Sequence, residues 1–437
     1  MRSRSQAWYL NNNGNFNGNN NMNNNYRSLS VANLENCSPF VDDYMVTLEY
    51  LTDVYHKARA NKRRSRDTVI FETNLEANLV RLCDAINGRR LNTSTNYAFV
   101  VFSPKPREIF ATEMSVRIVH HYIDGRLRPI YERVISGRSF NNRIGRGLHK
   151  AVETFRNDVA EMTDNFTREA WLAHLDMKGF FPNANVEIAL KQQLDIVENF
   201  YEGEDKEDLK YMLTACMRSD PARNCKVYVN PSNWNAIPKE KSLFSKPVGV
   251  GGAIGFLCWQ NAMGMYINDI IKWLESFDFL RVVVFVDDIY FAVKDKEKFL
   301  DLMPEIRSRL AALDVKLNEK KFYIQHYSKG IHFLGHRLKF GRVYADNGTV
   351  RMAFRKIEEW KNVRGLQWKC QRLLSSMNTY LSIFKKCNMV KITNDFINNV
   401  KDSFGKYIVW NEAKGCFMLK EKFGFKNTLS RKYGVRL

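Results

Sequence analysis

The chain has 437 residues, 45% of them apolar and 26% charged, which suffices for two or three units around sizeable cores. Its 67 Lys and Arg against 47 Asp and Glu leave a net charge of +20. Such a surplus favours a polyanionic partner, because each phosphate neutralised by a cation releases a condensed counterion. No run of about 18 apolar residues is present, which argues against a membrane element, and no secretory signal stands at the polar N-terminus. The eight cysteines are scattered and form no CxxC, against a zinc site or a disulfide framework. Reduced thiols in a cytoplasmic protein are the expectation.

In chain order, the first segment is compositionally unlike the rest. Eleven of the fifteen residues Asn11–Asn25 are Asn. Such a tract buries too little apolar surface to offset chain entropy, so residues 1–40 read as a disordered Asn-rich tail. Helical spacing of apolar residues covers 45–62 and then 68–88, the second stretch closed by Asn87-Gly88. Tyr97–Phe102 reads as a strand stopped by Ser103-Pro104-Lys105-Pro106. Helix periodicity resumes over Ile109–Ile123 and stops at Asp124-Gly125. Trp171–Leu175 is a strand candidate leading to Asp176. Residues 185–217 look helical, 218–246 read as a polar insertion, and Leu257–Leu274 presents one helix face. Val282–Phe285 and Ile289–Val293 read as a hairpin around Asp287-Asp288. Helices are expected over 296–313 and over several stretches between 353 and 408.

The chemistry rests on carboxylates. Asp176 and the Asp287-Asp288 pair stand at the ends of apolar, β-rich runs. Adjacent like charges repel and raise one another's pKa unless a cation joins them. Carboxylate-only ligands suit hard ions such as Mg²⁺. The bland alternative is a tight hairpin turn, which Asp favours.

Here the residues resemble a family. Phe285-Val286-Asp287-Asp288 is similar to the Tyr-x-Asp-Asp box of reverse transcriptases, with Phe285 replacing Tyr. Leu175-Asp176-Met177-Lys178-Gly179-Phe180-Phe181-Pro182-Asn183 resembles the motif that supplies the third carboxylate. The likeness spans about residues 44–340 with motifs in the family's order. It implies an α+β right-hand polymerase: fingers with part of the palm at 41–170, a palm with an antiparallel sheet carrying the catalytic Asp residues at 171–345, and a helical thumb at 346–437. It further implies that Asp176 and Asp287 bind two Mg²⁺ ions, with Mn²⁺ able to substitute. Asp288 assists, the Met177 carbonyl helps hold the nucleotide's metal, and Phe181 excludes a ribose 2′-hydroxyl so that the substrate is a dNTP. Phe180 and Phe181 can instead both be core, and one of them is expected to be.

Other motifs extend the resemblance. Lys105, Arg107 and Arg117 match the first fingers motifs and would clamp a triphosphate, as Arg can with paired hydrogen bonds. A solvated basic loop is the alternative. Arg143 and Arg146, in Ser139–Gly147, would face template or nucleotide phosphates. The stretch Gly251–Gln260 corresponds to the template-contacting loop, with Ile254 and Gly255 against the nucleotide and Gln260 towards the template. Most reverse transcriptases carry Gln at the position of Ile254. An apolar residue there marks the enzymes of diversity-generating retroelements, although Ala253, Phe256, Cys258 and Trp259 depart from their usual segment. Lys321, in Leu317-Asn318-Glu319-Lys320-Lys321, would assist proton transfer to pyrophosphate. Phe333, Leu334 and Gly335 resemble the primer grip. His332 and His336 read as structural or solvent-facing. Trp360, Trp368, Tyr380 and Phe384 suit a basic thumb.

Arg2–Leu10, the Asn tract and Tyr26-Arg27 resemble the translated template repeat of such retroelements. Asn codons offer two mutable adenines each, so copying errors at adenine reach many side chains. The expected activity is therefore RNA-directed DNA synthesis with adenine-directed errors, copying a template-repeat RNA for mutagenic retrohoming in a bacterial or phage setting. The expected partners are template RNA, primer or cDNA duplex, dNTPs and a small basic oligomeric accessory protein, with no membrane. Two other readings stand beside it: an antiphage-defence or abortive-infection reverse transcriptase, and a catalytically weak homologue that binds RNA.

Overall fold

In the computed structural model, residues 46–60, 62–94, 96–102 and 105–423 are described; the expectations for the Asn-rich tail and its template repeat fall outside them. Helix α1 (Leu48–Arg59) buries Leu51, Val54, Tyr55 and Ala58 at helical spacing, and the Thr47 side chain caps its start. The single helix expected over 68–88 is two, α2 (Arg66–Glu72) and α3 (Leu75–Asn87). At the break, the Asn78 amide donates to the Phe71 carbonyl (2.9 Å) and the Thr73 hydroxyl to that of Ile70 (2.6 Å). Carbonyls released by the interruption thereby find partners.

Strand β1 (Asn96–Val101) pairs antiparallel with β2 (Arg107–Thr112). The helix expected over Ile109–Ile123 is thus displaced: its first residues are strand, and helix α4 runs from Met114 to Val134. It continues through Gly125 and Pro129, where the sequence signals a stop. Asp124 is bound there by Arg128 one turn on in the same helix and by the Asn261 amide from the later helix Leu257–Tyr266 (2.7 Å), a local and a tertiary contact that support the helix at this point. The polar segment 218–246 contributes β4 (Cys225–Val227), parallel beside β1. It is pinned by Glu108, which is 5% exposed. That carboxylate accepts from Trp234 Nε1 (2.7 Å), Ser242 Oγ (2.6 Å) and the Leu243 amide (2.8 Å).

After α5 (Leu148–Met162) and β3 (Trp171–Asp176), the helix expected over 185–217 divides into α6 (Val186–Phe200) and α7 (Lys206–Met217). Between them Asp205 collects the hydroxyls of Tyr122 and Tyr201 and the Arg126 guanidinium. The face read over 257–274 likewise divides, into α8 (Leu257–Tyr266) and α9 (Asn268–Glu275). Strands β5 (Leu280–Phe285) and β6 (Asp288–Val293) form the expected hairpin, α10 covers Lys296–Ala311, and β7 is Tyr323–His326.

The central sheet has the order β5-β6-β3-β7, every pair antiparallel. Side chains alternate between faces. Ala173, Leu175, Val282, Val284, Ile289 and Phe291 join the large core shared with the helices around α4, α6 and α8. Leu172, Val283, Tyr290 and Ala292 point into a second core built with α5, Ile331 and Phe333. Both faces are covered, which is why these strands read as near-continuous apolar runs.

A second small sheet follows: β8 (Ile331–Phe333), β9 (His336–Lys339) and β10 (Arg342–Ala345). The C-terminal part has its own core, formed by α11 (Asn347–Lys361), α12 (Cys370–Phe384), α13 (Val390–Phe404) and a hairpin of β11 (Ile408–Asn411) and β12 (Cys416–Leu419). That hairpin corrects the expectation of a purely helical C-terminal segment. Its Phe417 amide and carbonyl are held by the Asn378 side chain (2.9 Å each), a long-range contact with no local signature. All seven cysteines among the described residues are free, and no helix there is long and apolar enough to cross a membrane.

Candidate active site

The sheet register brings the three acids together. Asp176, last residue of β3, is the partner of Asp288, first residue of β6. Asp287 sits in the turn between β5 and β6, and its carbonyl accepts from the Met177 amide (2.9 Å). The turn is strained: Val286, β-branched, has a φ of 61°, a conformation costing on the order of 1–2 kcal/mol. The Val286 amide meets the side chain of Asn141 (3.4 Å), itself only 7% exposed.

Each carboxylate has a different environment. Asp176 accepts from the Asn318 amide (2.9 Å) and from the Lys321 ammonium. The Asn318 backbone amide also donates to the Asp176 carbonyl (2.8 Å), fixing the lysine-bearing turn under β3. Asp288 Oδ1 lies 2.8 Å from His174 Nε2. The Asp287 carboxyl is met by its own backbone amide. Burial pushes that carboxyl up to about 6, helped by the adjacent Asp288 and by Asp176, with the backbone hydrogen bond and then Arg107 pulling the other way. Burial by itself would lower the Lys321 ammonium. Its hydrogen bond to Asp176 and the charges of Asp176, Asp288 and Asp287 outweigh this and raise it.

This donor set fits a hard divalent cation. Asp176, Asp287 and Asp288 stand at the adjoining ends of β3 and the β5–β6 hairpin, and carboxylate oxygens suit such an ion. Among the described residues, no three acidic, His or Cys side chains already converge as a metal-ligand group. Asp176 is engaged by Lys321, so loading a cation requires that ammonium to give way.

Around the acids, Phe180 is buried, 4% exposed, against Tyr266, whereas Phe181 is half-buried. The Phe181 carbonyl accepts from the Gly252 amide (2.8 Å), so segment 251–256 lies directly against it. Gly251, at a φ of 107°, lies against the Pro182 carbonyl, and a Cβ on Gly252 would meet the Trp259 ring at 2.5 Å. The close fit excludes larger residues at both positions. The Ile254 carbonyl accepts from the Phe110 amide on β2 (3.0 Å), and Ile254 and Gly255 remain partly exposed. Phe256, Cys258 and Trp259, which depart from the retroelement pattern, are buried at 0%, 3% and 1% exposure. Those departures pack the base of the loop.

The basic residues divide. Lys105 and Arg107 are exposed at the start of β2, and Arg107 is near enough to act on Asp287. Arg117 is turned to the Thr112 carbonyl (3.1 Å) and Asp67 (3.7 Å). Arg143, its side chain 4% exposed, spends its donors on Glu132 Oε2 and on the carbonyls of Ser136 and Glu132. Arg146 reaches the Gly137 carbonyl (2.6 Å) but stays partly exposed. The Gln260 carbonyl accepts from the Asn142 amide (3.1 Å). Phe333 is fully buried and stacks on Phe155 with centroids 4.7 Å apart, so only the turn at Leu334-Gly335 faces outward. Of the two histidines read as structural or solvent-facing, His332 is exposed beside Asp346 (3.0 Å) and His336 is buried, its Nδ1 near the Leu334 carbonyl (3.2 Å).

Three residues at the site escaped sequence reasoning: Asn141, His174 and Asn318. His174 had a signal, being two residues before Asp176 on a strand and hence on its face.

Comparison with solved structures finds likeness to telomerase. Apo telomerase from Candida tropicalis matches at 14% identity and a TM-score of 0.45, covering 72% of this chain and 58% of that one. A C-terminally truncated form gives 14%, 0.41, 58% and 55%. Telomerase from Candida albicans in complex with a TWJ fragment of telomeric RNA gives 13%, 0.39, 72% and 58%. The chain thus spans less than two thirds of each. No curated protein matches it significantly. The profile of the reverse transcriptase (RNA-dependent DNA polymerase) family matches residues 103–338, more than half of the sequence, and the protein belongs to that family.

Proposed function

We propose that this chain is an RNA-directed DNA polymerase that copies a template-repeat RNA into cDNA with errors at adenine, as the enzyme of a diversity-generating retroelement. The observation carrying the polymerase part is the pairing of Asp176 with Asp288 beside the Asp287 turn. In this reading residues 41–170 form fingers with part of the palm, 171–345 the palm and 346–437 the thumb.

Asp176 and Asp287 hold the divalent cations, Asp288 assists, and the Met177 carbonyl adds a ligand. The chemistry supplied there with Mg²⁺ bound is activation of the primer 3′-hydroxyl and stabilisation of departing pyrophosphate. Lys321, already at the acid cluster, delivers a proton to the leaving pyrophosphate. Lys105 and Arg107 take the triphosphate. Phe181, the partly exposed member of its pair, excludes the ribose 2′-hydroxyl. Arg117 and Arg143, bound within the protein, brace the start of α4 and the loop after it, while Arg146 and Gln260 border the template path. Phe333 anchors the primer-contacting turn at Leu334-Gly335. The surplus of +20 suits template and primer phosphates.

The retroelement reading is supported by Ile254, whose partly exposed position replaces a Gln with an apolar side chain, and by the Asn-rich segment. A small basic accessory protein belongs to the same proposal. The test is primer extension on an RNA template with Mg²⁺ and dNTPs. Asp287→Ala should abolish extension and leave RNA affinity within about twofold. A wild-type chain that extends nothing, even with its accessory partner, would overturn the polymerase reading. Errors in the cDNA not concentrated opposite adenine would overturn the retroelement reading, as would neighbouring DNA lacking a near-copy of the codons for residues 2–27.

A further inference from the structure

One titratable side chain at the acid cluster has no part in the chemistry above. His174 precedes Asp176 by two residues on β3, so both project from the same face. Its register partners are Tyr290 on β6 and Tyr323 on β7. Asp288 is the neighbouring position on that face of β6, a diagonal pair within reach of a ring.

His174 is 9% exposed. Its ring lies 4.6 Å from that of Tyr290 and 5.6 Å from that of Tyr323, so packing fixes its plane. Nε2 then points at Asp288 Oδ1 across 2.8 Å. When Asp288 is ionised its oxygens only accept, and the donor of this bond is then Nε2. Tyr290 continues the column, its ring 4.3 Å from Phe333, which anchors the turn at Leu334. A packed series of side chains thus links the Asp288 carboxylate to the Leu334-Gly335 turn.

We propose that His174 is a positioning residue: by holding one oxygen of Asp288 against the sheet it fixes the direction of that carboxylate beside Asp176 and Asp287, and so sets the affinity of the acid cluster for divalent cations. The inference rests on the polymerase reading above. Hydrogen-bond partners of metal-binding side chains typically contribute about 10–100-fold in metal affinity. The competing role is filling space between two tyrosine rings, which any side chain of suitable volume performs.

His174→Gln and His174→Met separate the two roles. Both remove the ring and have similar length, and only Gln keeps an N–H for Asp288. Mn²⁺ binding to the full chain is followed by electron paramagnetic resonance without nucleotide, and primer extension is titrated with Mg²⁺. Thermal melting checks the fold. His174→Met should bind Mn²⁺ about tenfold more weakly or worse and need correspondingly more Mg²⁺ for half-maximal extension, with kcat at saturating Mg²⁺ largely retained. His174→Gln should stay within about threefold of wild type. Equal Mn²⁺ affinity of the two variants, whether normal or weakened, overturns the proposal, and so does failure of either to fold. A wild-type chain that extends no primer overturns the polymerase reading itself. Extension by the wild type together with indistinguishable variants overturns this inference alone.

Discussion

Glu108→Ala should loosen the polar segment 218–246 from the β1–β2 hairpin without touching the acid cluster. Glu108 is 5% exposed and accepts from Trp234 Nε1, Ser242 Oγ and the Leu243 amide at 2.6–2.8 Å. Hydrogen bonds to a charged group contribute about 1.5–3 kcal/mol each, and a buried donor left unmade costs about 1–3 kcal/mol. These values do not add, because the three donors share one carboxylate. Trp234 is only partly buried and can turn to water, whereas Ser242 is 6% exposed and loses its partner outright. A local cost of about 3–5 kcal/mol follows. Glu108→Gln keeps the volume and one acceptor and should cost about 1–2 kcal/mol. Limited trypsin digestion reads the effect directly, since Lys226, Lys239 and Lys241 flank the contact. Cleavage there should accelerate at least tenfold in Glu108→Ala and less in Glu108→Gln, ahead of global unfolding. Cleavage at the wild-type rate in Glu108→Ala would refute the reasoning that this carboxylate is the latch.

Three further outcomes are expected. Asp287→Asn should stabilise the chain in the absence of divalent cations. A carboxyl raised from 3.8 to about 6 contributes stability that is complete below pH 4 and is lost as pH rises through 6. The variant should therefore melt several degrees above wild type at pH 8 in chelator, the difference vanishing near pH 4; equal melting at pH 8 would contradict the burial argument. Phe181→Ala should admit ribonucleotides, raising incorporation of rNTP relative to dNTP at least tenfold in primer extension, and an unchanged ratio would remove Phe181 from the nucleotide site. Ile254→Gln should lower misincorporation opposite template adenine severalfold in sequenced cDNA, and an unchanged error spectrum would sink the role given to that position.

Each acid was legible at the end of its own apolar run, while the meeting of Asp176 with Asp287-Asp288 was implied by the family resemblance and comes from the β3–β6 pairing. The β-rich runs on either side of Asp287-Asp288 read as a hairpin, and the apolar run of β3 ends on Asp176. Even the half-buried state of Phe181 beside the buried Phe180 lay within the sequence reading, which expected one of the two to be core. Helix boundaries were less legible. Asp124-Gly125 reads as a stop, yet α4 passes through it because Arg128 and Asn261 hold Asp124. Ile109–Thr112 read as the start of a helix because so short a stretch of mixed pattern fits either period; pairing with β1 makes it strand.

By itself, the sequence determined which segments alternate, which residues are apolar, and that three carboxylates stand at strand ends within a basic chain. The tertiary structure alone decided where each polar group spends its hydrogen bonds: Arg143 on Glu132 and not on solvent, Lys321 and Asn318 on Asp176, His174 on Asp288, Glu108 on a segment more than a hundred residues away. The reason is physical. Periodicity along the chain specifies which face is buried, since burial depends on a residue's own side chain. A hydrogen bond or ion pair depends on a partner, and that partner's position exists only once the chain has closed on itself.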